Sequence, residues 1–226
     1  MRKVISYSLF GSCHSHAEYC YTQGAIENSE RKNIHFPDWE IVIYCNHVDE
    51  KDQIVLSKYY GVTLIPVRDW AIGYFWRYLA FDNPDFDVVI VRDLDDRLCA
   101  RDRAAVTEWL ESDKEVHIIR DHIWHRMPMM GGLFGARNHA LNGMKDKIDM
   151  WSKQLDRPLQ HYDDEIFLAE IIYPEVFDGA FIHALKPREN ETIHPVKNQD
   201  DCYLGGSFLR TWKALPRPEH MKKYMQ

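Results

Sequence analysis

Residues 88–98, VVIVRDLDDRL, run four apolar side chains into an arginine and then three acids within four positions. Asp93 and Asp95 are one residue apart, so in an extended segment both carboxylates point to the same side and offer hard oxygen donors to a divalent cation. A cation held there can bridge a diphosphate and neutralise charge that builds on a leaving group. An acidic surface turn, with Asp96 capping the next helix, has the same spacing. Arg77 and Arg92 lie close by in sequence, and arginine suits bidentate contact with phosphate or carboxylate, either gripping an anionic ligand or locking the aspartates. Arg97 fits an ion pair with nearby acids. The segment HIIRDHIWH, residues 117–125, carries His117, Arg120, Asp121, His122 and His125. Strand alternation separates His117 from Arg120 and argues against zinc, while His122 and His125 read as a solvated loop. GGLFG, with Gly131, Gly132 and Gly135, lacks the ending and spacing of a phosphate loop. Its glycines suit a close approach of backbone to a ligand, or a plain tight turn. Asp163, Asp164 and Glu165 open DDEIFLAEIIY, where a helix dipole favours carboxylates and Asp163 best fits the cap.

These residues need a frame. Residues 4–10 alternate apolar and polar as a strand, 39–45 form a second strand and 61–67 a third, with helical spacing in 16–37 until Pro37. Asp69 is placed to cap a helix over 70–81, with Trp70, Tyr74 and Tyr78 on one face, ended by Asn83-Pro84. Residues 87–91 are a continuous apolar run, as expected of a strand covered on both faces. A helix over 101–112, a strand over 115–121, a glycine-rich strand or turn over 129–137 and helices over 138–155 and 163–173 follow, the last closed by Pro174. Strands alternating with helices predict an α/β sandwich around a mostly parallel sheet. Ligands of such sheets bind beyond the carboxyl ends of the strands, which is where Asp93 and Asp95 fall.

Composition narrows the classes. A chain of 226 residues, 45% hydrophobic, can bury one substantial core, so one domain is expected. A net charge of −7 without a basic stripe disfavours bulk nucleic-acid binding. The five cysteines lack CxxC pairing and read as free thiols in a reducing compartment. No apolar run reaches the length of a transmembrane segment, and the expectation is a cytoplasmic protein.

Four blocks carry a resemblance: FWRYLAFDNPDFDVVIVRDLDDRL (75–98), AVTEWLESDKEVHIIRDH (105–122), MMGGLFGAR (129–137) and HYDDEIFLAEIIYPEV (161–176). In this order they resemble a small glycosyltransferase family of the GT-A type, with its Arg-Asp-x-Asp-Ser-Arg signature, His-x-x-Arg-Asp strand, Gly-Gly-x-x-Gly turn and Tyr-x-x-Asp-(Asp/Glu)-x-Phe-Leu helix. Asp96 departs from the usual serine, and FIHALK keeps only His183 of a His-Asp-Ser segment. The resemblance implies a single GT-A-like (Rossmann-like) α/β/α domain over 1–226, with a nucleotide-donor half over about 1–96, an acceptor half over about 97–185 and a tail over 186–226. It implies Mn2+ or Mg2+ held by Asp95 and Asp93, with His183 as a third ligand and His194 as its competitor. Arg77, Arg92, Asp93, Arg120, Asp121, Gly131 and Gly132 would then face a nucleotide-sugar donor. For an inverting transfer to a hydroxyl acceptor, Asp164 and then Glu165 are the candidate proton acceptors. A metal-dependent nucleotidyltransferase would use the same carboxylates, and a non-catalytic sugar- or partner-binding module could share the fold.

Overall fold

The computed structural model describes residues 1–10, 21–196 and 204. Strands β1 (Lys3–Leu9), β2 (Glu40–Cys45), β3 (Val62–Pro66), β4 (Val88–Val91), β5 (Val116–Arg120), β6 (Phe134–Arg137), β7 (Ala180–Ala184) and β8 (Ile193–His194) form one sheet, in the order β3-β2-β1-β4-β6-β5-β7-β8. All neighbouring pairs are parallel except those of β6, which runs antiparallel to both β4 and β5. The predicted mostly parallel α/β architecture is therefore observed.

The period-2 geometry of the strands builds two cores. Val4, Val42, Val89, Val91, Ile118 and Ile182 face one side, and Ile5, Tyr7, Ile41, Ile43, Val88, Ile90 and Phe181 face the other. The second face is covered by α1 (Tyr21–His35) and α3 (Ala100–Glu111), through Ala25, Val106 and Trp109. The first is covered by a 3₁₀ helix (Gly73–Asp82), α4 (Met144–Ser152) and α5 (Asp163–Phe167). A short α2 (Glu50–Leu56) connects β2 to β3. β4 is buried along its whole length, as a strand covered on both faces must be.

Several elements depart from the sequence reading. The aromatic segment coils as a 3₁₀ helix, so Phe75, Tyr78 and Phe81 recur every third residue on the buried side. Asp69 does not cap it: Asp69 and Ala71 adopt left-handed φ of 51° and 45°, and the helix starts after Ile72 without a side-chain cap. The helix expected over 138–155 begins only at Met144, because Asn138 and His139 are left-handed. Its first amides are capped from a distance, the Met144 and Lys145 N–H groups donating to the two Asp82 carboxylate oxygens at 2.8 Å. Pro174 does not end its helix either. A π-helical turn (Leu168–Ile172) precedes it and α6 (Tyr173–Val176) continues through it, since a proline near a helix start has no amide to satisfy.

Among the described residues no helix is long and apolar enough to cross a membrane. Cys45 and Cys99 are buried, while Cys13, Cys20 and Cys202 lie outside the described residues. Most of the tail expected over 186–226 also lies outside them.

Candidate active site

The carboxyl ends of β1 and β4 open into a cavity of about 380 Å³. On β1, Ser6 and Ser8 fall on the same face of the sheet. The Ser6 hydroxyl donates to the Arg77 carbonyl at 2.7 Å and the Arg77 amide donates to Ser8 Oγ at 2.9 Å, fastening the 3₁₀ helix over the strand ends. That fixes the Arg77 guanidinium at the cavity wall. Its Nε donates to the Gly131 carbonyl at 2.9 Å, Nη2 to Asp164 Oδ2 at 2.8 Å, and Nη1 lies 3.1 Å from Asp93 Oδ1. Tyr78 adds its hydroxyl to the Gly131 carbonyl at 3.2 Å and to Asp164 Oδ2 at 3.3 Å.

One cation thus ties the end of β4, the glycine turn and the start of α5 together. Burial opposes the Arg77 charge, but Asp93, Tyr78 and Asp164 outweigh it and hold its pKa above the ordinary value. Burial pushes the Asp164 carboxyl up to about 6; Arg77 works against that rise and Asp93 reinforces it. Burial, followed by the charge of Asp164, also raises the Tyr78 and Tyr74 hydroxyls.

Asp93, Asp95, Gly131, Gly132, Asp164 and Glu165 all line this cavity with Arg77. Asp93 and Asp95 are half-buried while Leu94 and Asp96 are buried; they sit in a turn beyond β4, where the Asp96 amide donates to the Asp93 carbonyl at 3.2 Å, and not in the extended segment expected from the spacing. Asp96 does not cap α3, whose cap residue is Cys99. Its Oδ1 accepts the Arg97 amide at 2.7 Å, and burial followed by repulsion from Asp102 raises its pKa well above the carboxylate range. Arg97 pairs with Glu27 at 2.5 Å. Asp163 is not the α5 cap; that position is Tyr162, with a left-handed φ of 74°. Asp163 instead forms a bidentate pair with Arg157 at 2.7 and 2.8 Å and closes the loop before the helix.

Five expected residues lie elsewhere. Arg92 follows Val88 and Ile90 onto the α3 face, where it is 1% exposed and forms a bidentate pair with Asp102 at 2.8 and 3.1 Å; it fixes α3 and does not reach the cavity. His183 follows Phe181 to that same face. There its Nδ1 meets His117 Nε2 at 2.8 Å, on the far side of the sheet from Asp93 and Asp95, so it does not join them as a third ligand. His194 stacks on Phe181 at 4.1 Å. Arg120 is buried against Glu191 and the Pro128 carbonyl, and Asp121 against Arg101 at 2.9 Å; neither lines the cavity. Among the described residues no three His, Cys, Asp or Glu side chains are grouped to hold a metal.

The sequence reading missed several wall residues. Tyr74 stacks on His161 at 4.8 Å, and His161 stacks on Tyr162 at 3.8 Å, placing parallel rings beside Asp164. His161 and Tyr162 stand directly before DDE, a position that could have signalled them. His125, read as a solvated loop residue, lines the cavity with its side chain 7% exposed.

No family model matches the chain, and no curated protein sequence matches it. Solved structures do. An active-site mutant of LgtC superposes with a TM-score of 0.54 at 11% identity, over 80% of this chain and 72% of LgtC. Galactosyltransferase LgtC in complex with donor and acceptor sugar analogs gives 0.53 at 12% identity, over 80% and 73%. The fold is that of GT-A glycosyltransferases. The apo glycosyltransferase GlyE of Streptococcus pneumoniae TIGR4 matches at 0.51 and 15% identity, over 80% of this chain and 45% of GlyE. In a GT-A frame the cavity sits at the carboxyl edge of the sheet, where α/β folds bind ligands.

The glycine turn yields a direct test of this geometry. A methyl on Gly132 would fall 2.1 Å from Asp93 Oδ2 and 3.0 Å from the Asp93 amide nitrogen, whereas one on Gly179 meets nothing within 4 Å. Gly132→Ala is expected to cost about 1–3 kcal/mol in urea denaturation, and Gly179→Ala to be near neutral. Equal stabilities would contradict the close approach of the turn to Asp93.

Proposed function

We propose that the chain is a metal-dependent glycosyltransferase that moves a sugar from a nucleotide-diphosphate donor to a hydroxyl acceptor. The observation that carries this reading is the Arg77 bridge, which holds the strand-end acid Asp93 and the helix-start acid Asp164 on one cavity of a GT-A fold. LgtC, bound to donor and acceptor sugar analogs in its own structure, supports it through the shared fold.

Asp93 and Asp95 are the residues that would hold a divalent cation. Their hard oxygen donors would suit Mg2+ or Mn2+. The cation, when bound, supplies charge neutralisation on the diphosphate. Asp164 is the group assigned to the acceptor: as the hydroxyl attacks the anomeric carbon, its proton passes to the Asp164 carboxylate. The bond from that carbon to the diphosphate oxygen breaks with its electron pair left on the diphosphate. Arg77 and Tyr78 keep Asp164 in one orientation through that transfer. The Tyr74, His161 and Tyr162 rings form a wall on which an apolar sugar face can lie.

The metal assignment is checked by calorimetry with Mn2+ and a panel of nucleotide sugars. Asp95→Asn is expected to abolish metal-dependent donor binding and leave the fold intact, and undiminished binding would sink the assignment.

The base assignment is checked by transfer rates. Asp164→Asn is expected to keep donor affinity and lose about two to four orders of magnitude in transfer. Because Asp164 must be ionised to accept a proton, the wild-type rate should fall as pH drops through about 6. Linkage has the matching sign: a carboxyl raised by folding contributes stability below its unfolded pKa and loses it as pH rises through about 6. If Asp164→Asn transfers normally while Glu165→Gln does not, Glu165 is the base. If neither slows transfer, the inverting mechanism is wrong.

A further inference from the structure

Asp121 carries an unexplained oxygen. Its carboxylate is 1% exposed; Oδ2 accepts from Arg101 Nε at 2.9 Å and from the Leu204 amide at 3.1 Å, and Oδ1 has no hydrogen-bond partner among the described residues. Buried carboxylate oxygens are rarely left without a donor. The group facing Oδ1 is His125 Nδ1, 3.6 Å away. That separation is too long for a hydrogen bond, yet catalytic contacts of this kind are often long before a ligand arrives and tighten in the complex. His125 belongs to a loop that is firmly held: Met127 and Met129 are fully buried and Arg120 Nη1 donates to the Pro128 carbonyl at 2.7 Å.

His125 brings to the cavity a ring able to carry positive charge. Among the described residues four carboxylates line that cavity, Asp93, Asp95, Asp164 and Glu165, against one guanidinium already committed to two of them. A diphosphate entering such a cavity is repelled unless positive charge meets it. The other described lining residues able to become cationic are His125 and His161, and the His161 ring is sandwiched between Tyr74 and Tyr162. A carboxylate on one imidazole nitrogen fixes the ring and favours its charged form, leaving the second nitrogen as a donor.

We propose that His125, oriented through its Nδ1–H by Asp121, donates a hydrogen bond from Nε2 to the diphosphate of the donor. The proposal rests on the glycosyltransferase reading above and adds a diphosphate-binding residue to it. When the bond between the anomeric carbon and the diphosphate oxygen breaks, the electron pair stays on that oxygen. His125 stabilises it by hydrogen bonding and keeps its own proton. Asp121 is a positioning residue, acting through His125, with Arg101 behind it and His122 5.7 Å from the His125 ring.

The test uses the full chain labelled with 15N-histidine, with Mg2+ and UDP, GDP, CDP or ADP as probes and the corresponding nucleosides as controls. The nucleoside diphosphate that wild type binds is expected to shift the His125 Nε2 resonance, whereas its nucleoside should not. By calorimetry, His125→Ala should weaken diphosphate binding about ten- to hundredfold with nucleoside binding unchanged, and His125→Gln should recover part of the loss. Asp121→Asn should alter the His125 nitrogen signals in the free protein; the His125 variants carry the test if that variant fails to fold. Binding by wild type without a His125 shift, or unchanged affinity in His125→Ala, overturns the proposal alone. Absence of binding by any of the four diphosphates overturns the donor reading and the proposal together.

Discussion

Arg77 is the one buried guanidinium at the cavity wall among the described residues, and Asp93 and Asp164 both pair with it. A guanidinium taken out of water is tolerable only when its donors are matched, and here Asp93, Asp164 and the Gly131 carbonyl match them. The same geometry restrains the partners. If Asp164 turned away, Arg77 Nη2 would lose its carboxylate and Asp93 alone would remain to balance the buried charge. Ser6 and Ser8 of β1 hold the Arg77 backbone, so the bridge links the first strand of the sheet, Lys3–Leu9, to the helix Asp163–Phe167 far along the chain.

The balance of charge around this bridge shapes the chemistry. Four carboxylates converge on a space of about 380 Å³, and burial holds one of them, Asp164, near the pH at which a carboxyl exchanges its proton. Asp93 and Asp95, half-exposed beyond the end of β4, are the acids proposed to hold the cation. Tyr162 is held in a left-handed conformation at the entry to α5, where backbone strain often accompanies function. Its ring completes the aromatic wall, so the local strain and the site coincide.

The sequence disclosed the strands and the acids more readily than the side of the sheet they serve. The apolar run before Asp93 marks a buried strand, and the spacing of Asp93 and Asp95 puts them on one side of it. Alternation also puts Arg92 with Val88 and Ile90, but nothing in one sequence says which face α3 covers and which carries the cavity; that is decided by the packing of distant elements. The side of the sheet that His183 serves is hidden for the same reason: the pairing of its strand beside β5 puts the ring against His117. Arg77 was legible as an arginine among aromatics but not as a bridge, because its partners lie 16 and 87 positions away. His125 looked solvated because the loop has no strand or helix period to assign it a face, whereas Met127 and Met129 draw that loop into the core.

The central claim is that the Arg77-held cavity cleaves a nucleotide-sugar donor. Its most direct test is the chromatographic measurement of nucleoside diphosphate released from a panel of nucleotide sugars in Mn2+, with wild type and Arg77→Lys, whose ammonium cannot span the same partners. Release from at least one donor by wild type, reduced about a hundredfold or more in a folded Arg77→Lys, is the predicted result. Release that persists unchanged in Arg77→Lys, or no release by wild type from any donor with or without candidate sugar acceptors, would contradict the account.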